Sequence, residues 1–319
     1  MCVQITYDGA PCNHSIPPFP LISSSRHHHP SLGILLKLVS VVLMTLMATF
    51  VKLLGTDIPV GETIFVRGVV ALFVLGFIAH RTTGLKILKT AHWQRHALRS
   101  LAGTANMFCL YASLSMIPLA DVTAIGFASP IFITILAMIF LHERIHAFRW
   151  TALIVGLTGV IIMIAPKLSL HVDGAGWLVA LTGTFFAAIA LTTVRSMTAT
   201  EPAITITFYF LMTAMMCSLF TSIFGWAWPD ARQLLWMLLA AMCGVLGQLA
   251  LTTAYRHAEA STLAPLDYVG MLMASSIGYF VFSEIPDAPI WLGSVLVIAA
   301  GLVIIWREYR LQHGASNKI

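Results

Sequence analysis

Three residues invite a chemical reading at once. His142, Glu143 and His146 spell H-E-x-x-H, the spacing that sets two imidazoles one helical turn apart to hold zinc while the glutamate activates water. On that reading the chain is an intramembrane zinc protease. A second set points elsewhere: Arg67 and Asp267 each fall inside a long apolar run, where a charge has to face protein or a water-filled cavity and find a partner. The elements that carry these residues decide between the two chemistries.

The chain has 319 residues, 58% of them hydrophobic and 10% charged, against about 45–50% and 25% in a soluble domain. Ten runs are long enough to cross the hydrocarbon as helices: roughly 33–54, 59–80, 97–116, 119–141, 148–165, 175–194, 203–225, 233–255, 260–283 and 289–306. This predicts an all-α polytopic membrane protein. Residues 1–30, with Pro11, Pro17, Pro18, Pro20 and His27 to His29, read as a disordered cytoplasmic leader, and 307–319 as a cytoplasmic tail. The five cysteines show neither a disulfide framework nor zinc spacing. With the N-terminus inside, 14 of the 18 basic residues lie at or near one face, which predicts both termini in the cytoplasm and places the chain in the inner membrane. The formal charge of +5 then reflects topology and anionic lipid, and no basic stripe with interleaved aromatics argues for nucleic acid.

Laid on itself with a shift of 141 residues, the chain pairs Gly103 with Gly244, Glu143 with Glu284, Ala147 with Ala288 and Trp150 with Trp291. The order of features repeats as well: a small-residue opening, a long apolar run, a terminal glutamate, then a tryptophan opening the next span. Five spans per half is an odd number, so the second copy sits inverted relative to the first, with substrate expected between the halves.

With Lys52 ending the first span, ETIFVRG around Arg67, YASLSMIPLADVTAIGFASPIF, the acidic turn LHERI, and AYRHAEASTLAPLDYVG followed by FSEIPD, the chain resembles the ten-helix members of the drug/metabolite transporter superfamily built from two EamA domains. The likeness spans about residues 33–306, as repeats at 31–166 and 174–306. It implies ten helices, a central cavity lined by all but the last helix of each half, and alternating access without ATP. It also implies a small-molecule substrate in a lipid bilayer, no cofactor, no enzymatic activity, and a monomer or homodimer. The nearest branch resembles carriers of riboflavin, S-adenosylmethionine and metallophores. Riboflavin uptake is the expected function, with export or carriage of amino-acid-like metabolites as the alternative.

The candidate substrate or coupling residues are Arg67, Asp267, Tyr268, Phe127, Tyr255, Lys52 and Asp121. Arg67 lies eight residues beyond Pro59, about 12 Å into the bilayer, as a substrate or gating contact or as a structural ion pair. Asp267 lies seven residues into the ninth span between Pro265 and Gly270, for proton coupling, for hydrogen-bonding a hydroxylated substrate, or to pair with Arg67. Lys52 is expected to snorkel to the interface, and Glu62 and Asp121 to sit at helix N-termini, where a carboxylate is favoured. Tyr111, Phe127, Tyr209, Tyr255 and Tyr268 offer rings for a stacking ligand, Phe127 and Tyr268 being 141 residues apart.

The protease reading then weakens. From Pro118 to His142 is already about 36 Å of helix, so the fourth span is ending there. The repeat sets Pro286 opposite Ile145, and it keeps Glu284 opposite Glu143 while lacking both histidines. Glu143 and Glu284 are expected to anchor helix turns through backbone N–H groups.

Overall fold

The computed structural model describes residues 30–82, 84–90, 92–129, 131–133, 135–136, 151, 154–162, 174–258, 263, 266–285 and 287–316. The described residues of the apolar runs are largely helical, and several breaks between them fall at proline or glycine. Helix α1 (Pro30–Leu54) ends at Gly55, whose φ of 64° a side chain would resist. Pro59 precedes α2 (Val60–Thr82), Pro118 precedes α4 (Leu119–Gly126) and Pro202 precedes α6 (Ala203–Leu219), because a residue without an N–H is tolerated where a helix begins. Between them lie α3 (Trp93–Met116) and α5 (Gly174–Met197). A capping box between Asp230 and Gln233 opens α7 (Ala231–His257). Then follow α8 (Asp267–Phe282) and α9 (Ala288–Ser316).

Helices α1, α2, α5, α6 and α7 are each long and apolar enough to cross a membrane. Helix α3 has the length but not the composition, and its packing shows why. Its buried stripe holds His96, Arg99, Ser100 and Thr104, while Leu98 and Leu101 are exposed. Such a helix is inside out relative to one in a soluble protein. It suits a chain whose surroundings are lipid and whose interior is polar. Phe73, Phe77 and Phe280 are likewise exposed.

Packing comes in matched pairs. The two most extensive contacts are α1 with α7 and α3 with α5; α2 meets α7 as α3 meets α6; α2 faces α6, and α4 faces α8. Exchanging α1 for α5, α2 for α6, α3 for α7 and α4 for α8 maps each of these contacts onto another or onto itself, as a duplicated five-helix unit requires. Small residues set the approach. A Cβ on Gly68 would stand 2.4 Å from Met215 Cβ across α2–α6, and one on Gly183 would stand 2.8 Å from Cys109 Cβ across α5–α3.

Candidate functional site

Helix α1 carries a lysine near each end, and each lysine meets one end of α8. At the end where α1 finishes, Lys52 Nζ lies 2.9 Å from Glu284 Oε1 and donates to the carbonyls of Ile117 at 2.8 Å and Leu114 at 3.3 Å. Glu284 Oε2 accepts the N–H of Leu119, the first residue of α4, at 3.1 Å. One ion pair therefore satisfies helix-end groups of α3 and α4, which have no partner inside their own helices. At the same end Glu62 Oε2 accepts the N–H of Ala227 at 3.0 Å, joining α2 to the turn before α7. Both carboxylates bridge the two halves. Lys52 does not snorkel: its side chain is 12% exposed, because the helix-end carbonyls and Glu284 give a buried ammonium more than the interface would.

One layer inward, Arg67 ties four helices together. Its Nη1 donates to Tyr111 Oη at 2.9 Å and meets Met47 Sδ at 3.0 Å, and its Nη2 donates to the Gly244 carbonyl at 3.1 Å. Gly244 leaves the room, since a Cβ there would lie 2.8 Å from the guanidinium carbon. Asp267 is not its partner. The described helix α8 opens at Asp267, so the carboxylate stands in its first turn, near the opposite end of the molecule from Lys52.

There Asp267 Oδ1 pairs with Lys37 Nζ at 2.7 Å, with the aspartate side chain 44% exposed and the lysine 5%. Tyr255, which is buried, has Lys37 Nζ 5.9 Å and Arg195 Cζ 5.4 Å from its ring centre. Beside these groups opens a cavity of about 200 Å³ lined by Arg99, Asn106, Phe210, Gln248, Thr252 and Tyr255 among others. A smaller pocket of about 90 Å³ continues past Asn106 toward Val122 and Gly126. Phe210 stacks against Arg99, with Cζ 4.2 Å from the ring centre. The cavity therefore lies between the halves, with α3 and Ser129 from the first facing α5, α6 and α7 from the second.

Of the residues singled out from sequence, Tyr255 lines this cavity, and Asp267 stands near it through the Lys37 that both it and Tyr255 meet. Arg67 and Lys52 are deeper, on the side where the halves close. Phe127 packs against the main apolar core at the end of α4, and Asp121 is 3% exposed in that helix's first turn. Tyr209 spends its hydroxyl on the Leu88 carbonyl at 3.0 Å. The side chain of Tyr268 and the whole of His142, Glu143 and His146 lie outside the described residues. Lys37, Arg99 and Arg195 are three of the 14 basic residues that the sequence places at or near one membrane face. The signal that sets them apart is position: all three lie inside or at the edge of apolar runs.

The EamA-like transporter family matches the chain twice, over residues 31–165 and 174–306. The pseudopaline exporter CntI of Pseudomonas aeruginosa is 28% identical over 279 residues, covering 85% of this chain and 95% of that protein. A riboflavin transporter of Rhizobium johnstonii is 32% identical, covering 76% and 80%. An S-adenosylmethionine uptake transporter of Rickettsia prowazekii is 28% identical, covering 86% and 93%. A protein known from its crystal structure shares the fold, with a TM-score of 0.61 at 16% identity, covering 88% of this chain and 99% of that one.

Proposed function

Because the chain belongs to the EamA-like transporter family, a membrane transporter and not an enzyme, we propose that it moves a small polar or amphipathic metabolite by alternating access through the cavity between its halves. The observation that carries this reading is the asymmetry of the two ends. At the Lys52 end, ion-pair and backbone contacts cross between the halves; toward the Lys37 end, a mainly apolar cavity with Arg99, Asn106, Gln248 and Thr252 in its wall lies between them. That is the form of a carrier closed on one side. The basic residues assign the Lys37 end and both termini to the cytoplasm, and so a cytoplasmic membrane location with the cavity served from inside. Transport is then the exchange of the Lys52-end contacts for equivalent ones around α1 and α8 at the other end, with Asp267 and Lys37 as the movable pair.

One specific reading is riboflavin uptake, supported by the 32% identical riboflavin transporter and by the rings of Tyr255 and Phe210 at the cavity wall. The 28% identical exporter and S-adenosylmethionine carrier favour an amino-acid-like cargo instead. Radiolabelled counterflow into proteoliposomes separates them. Exchange of riboflavin, with rescue of a riboflavin-requiring strain at low external vitamin, supports the first. Exchange of S-adenosylmethionine alone supports the second, and exchange of neither counts against both.

A further inference from the structure

The cavity contains a cation that the fold leaves unanswered. Arg99 is 4% exposed, yet among the described residues its Nε and Nη1 have no hydrogen-bond partner and no carboxylate stands within ion-pair distance of it. A buried guanidinium without a counter-charge is costly to keep. Arg67 above it is engaged by Tyr111 and Gly244, and Lys37 is neutralised by Asp267. Arg195, over the far cavity wall at Tyr255, adds a second positive charge. The net field at the cavity is therefore positive.

The guanidinium is also held for use. The Phe210 ring centre lies 4.2 Å from Arg99 Cζ and backs the guanidinium, and Gly103 supplies the space it occupies: a Cβ there would fall 2.1 Å from Arg99 Nη1 and 2.8 Å from Phe210 Cε2. A fixed planar fork with free donors matches a carboxylate, which takes two parallel charge-assisted hydrogen bonds. Gln248 and Thr252 line the same cavity and offer further polar contacts. We propose that Arg99 is the anchor for a carboxylate on the transported metabolite, which rests on the carrier reading above and makes the cargo an amino-acid-like carboxylate in preference to a neutral flavin.

The test uses the full chain in detergent and in proteoliposomes, with probes paired to differ at one group: S-adenosylmethionine against its decarboxylated form, L-tryptophan against L-tryptophanamide, and riboflavin against riboflavin 5′-phosphate. Carboxylate-bearing probes should raise the melting temperature, and their amide or decarboxylated partners should bind about tenfold more weakly or worse. Arg99→Gln should abolish that preference. Gly103→Ala keeps the charge but displaces it, and should weaken the same probes; a monodisperse profile on size exclusion shows that each variant folds. Equal binding of acid and amide, an unchanged preference in Arg99→Gln, tighter binding of the phosphate ester or of riboflavin, or no stabilisation by any carboxylate would overturn the proposal. Carboxylate binding that depends on Arg99 without any movement of probe into vesicles would remove the carrier reading and leave the anion site standing.

Discussion

The two ends of the α1–α8 pair use the same chemistry to opposite effect. Lys52 and Lys37 each meet a carboxylate of α8, at 2.9 and 2.7 Å. At the Lys52 end both partners are largely buried and both also hold backbone groups of neighbouring turns, so the pair fastens four chain segments. At the other end Asp267 is nearly half exposed, and among the described residues its side chain is held by Lys37. The difference teaches that ion-pair distance says little about function. What matters is how many other groups lose their partners when the pair opens.

Five measurements sharpen or break this contrast. The largest effect is expected for Arg67→Ala, which leaves the Tyr111 hydroxyl and the Gly244 carbonyl without their partner and opens a void among four helices. About 3–5 kcal/mol of stability should go, seen as a large fall in melting temperature, and a variant melting like the parent would refute the hub. Next comes Glu284→Gln, which breaks the Lys52 pair and weakens the Leu119 contact, at about 1.5–3 kcal/mol. In a cysteine-free background, Ser113→Cys, buried beneath this latch, should become reactive to an impermeant maleimide once Glu284→Gln is added; continued protection would mean the pair does not close that end.

Glu62→Gln should cost less, about 1 kcal/mol, since one hydrogen bond to Ala227 is weakened. Asp267→Asn should lower stability by about 1 kcal/mol, because the amide oxygen still accepts from Lys37 and the half-exposed position admits water, yet it should slow counterflow several-fold if the pair rearranges during transport. A large fall in stability with unaltered counterflow would make the Lys37 end a latch like the other. Smallest of all, His142→Ala with His146→Ala should leave transport and stability unchanged, and loss of transport together with loss of bound zinc would revive the metal reading.

Much of the architecture was legible from one-dimensional pattern. Apolar runs mark helices because the bilayer demands internally satisfied backbone, and prolines 59, 118 and 202 mark helix starts because each lacks an N–H. The 141-residue echo announced the duplication that the matched helix contacts express. Position along a run misled where tertiary structure intervened. Lys52 lies close enough to the interface to snorkel, but three acceptors brought from α3 and α8 turn it inward. Asp267 looked like a deep charge because the apolar run continues before it, whereas the described helix begins at the aspartate itself.

Composition and spacing alone thus determined a helical membrane protein in two copies of one unit, since hydrophobic length and repeat order are properties of sequence. They did not decide which charges meet. Arg67 could have paired with Asp267 as far as sequence goes, and Arg99 looked like one more positive residue near a membrane face. Only the packing of α1, α2, α3, α6, α7 and α8 gave Lys37 to Asp267, Lys52 to Glu284 and Arg67 to Tyr111 and Gly244, leaving Arg99 beside the cavity without an ionic partner among the described residues. Pairing over a hundred residues or more depends on the three-dimensional approach of helices, and a linear pattern does not encode which donors that approach exhausts.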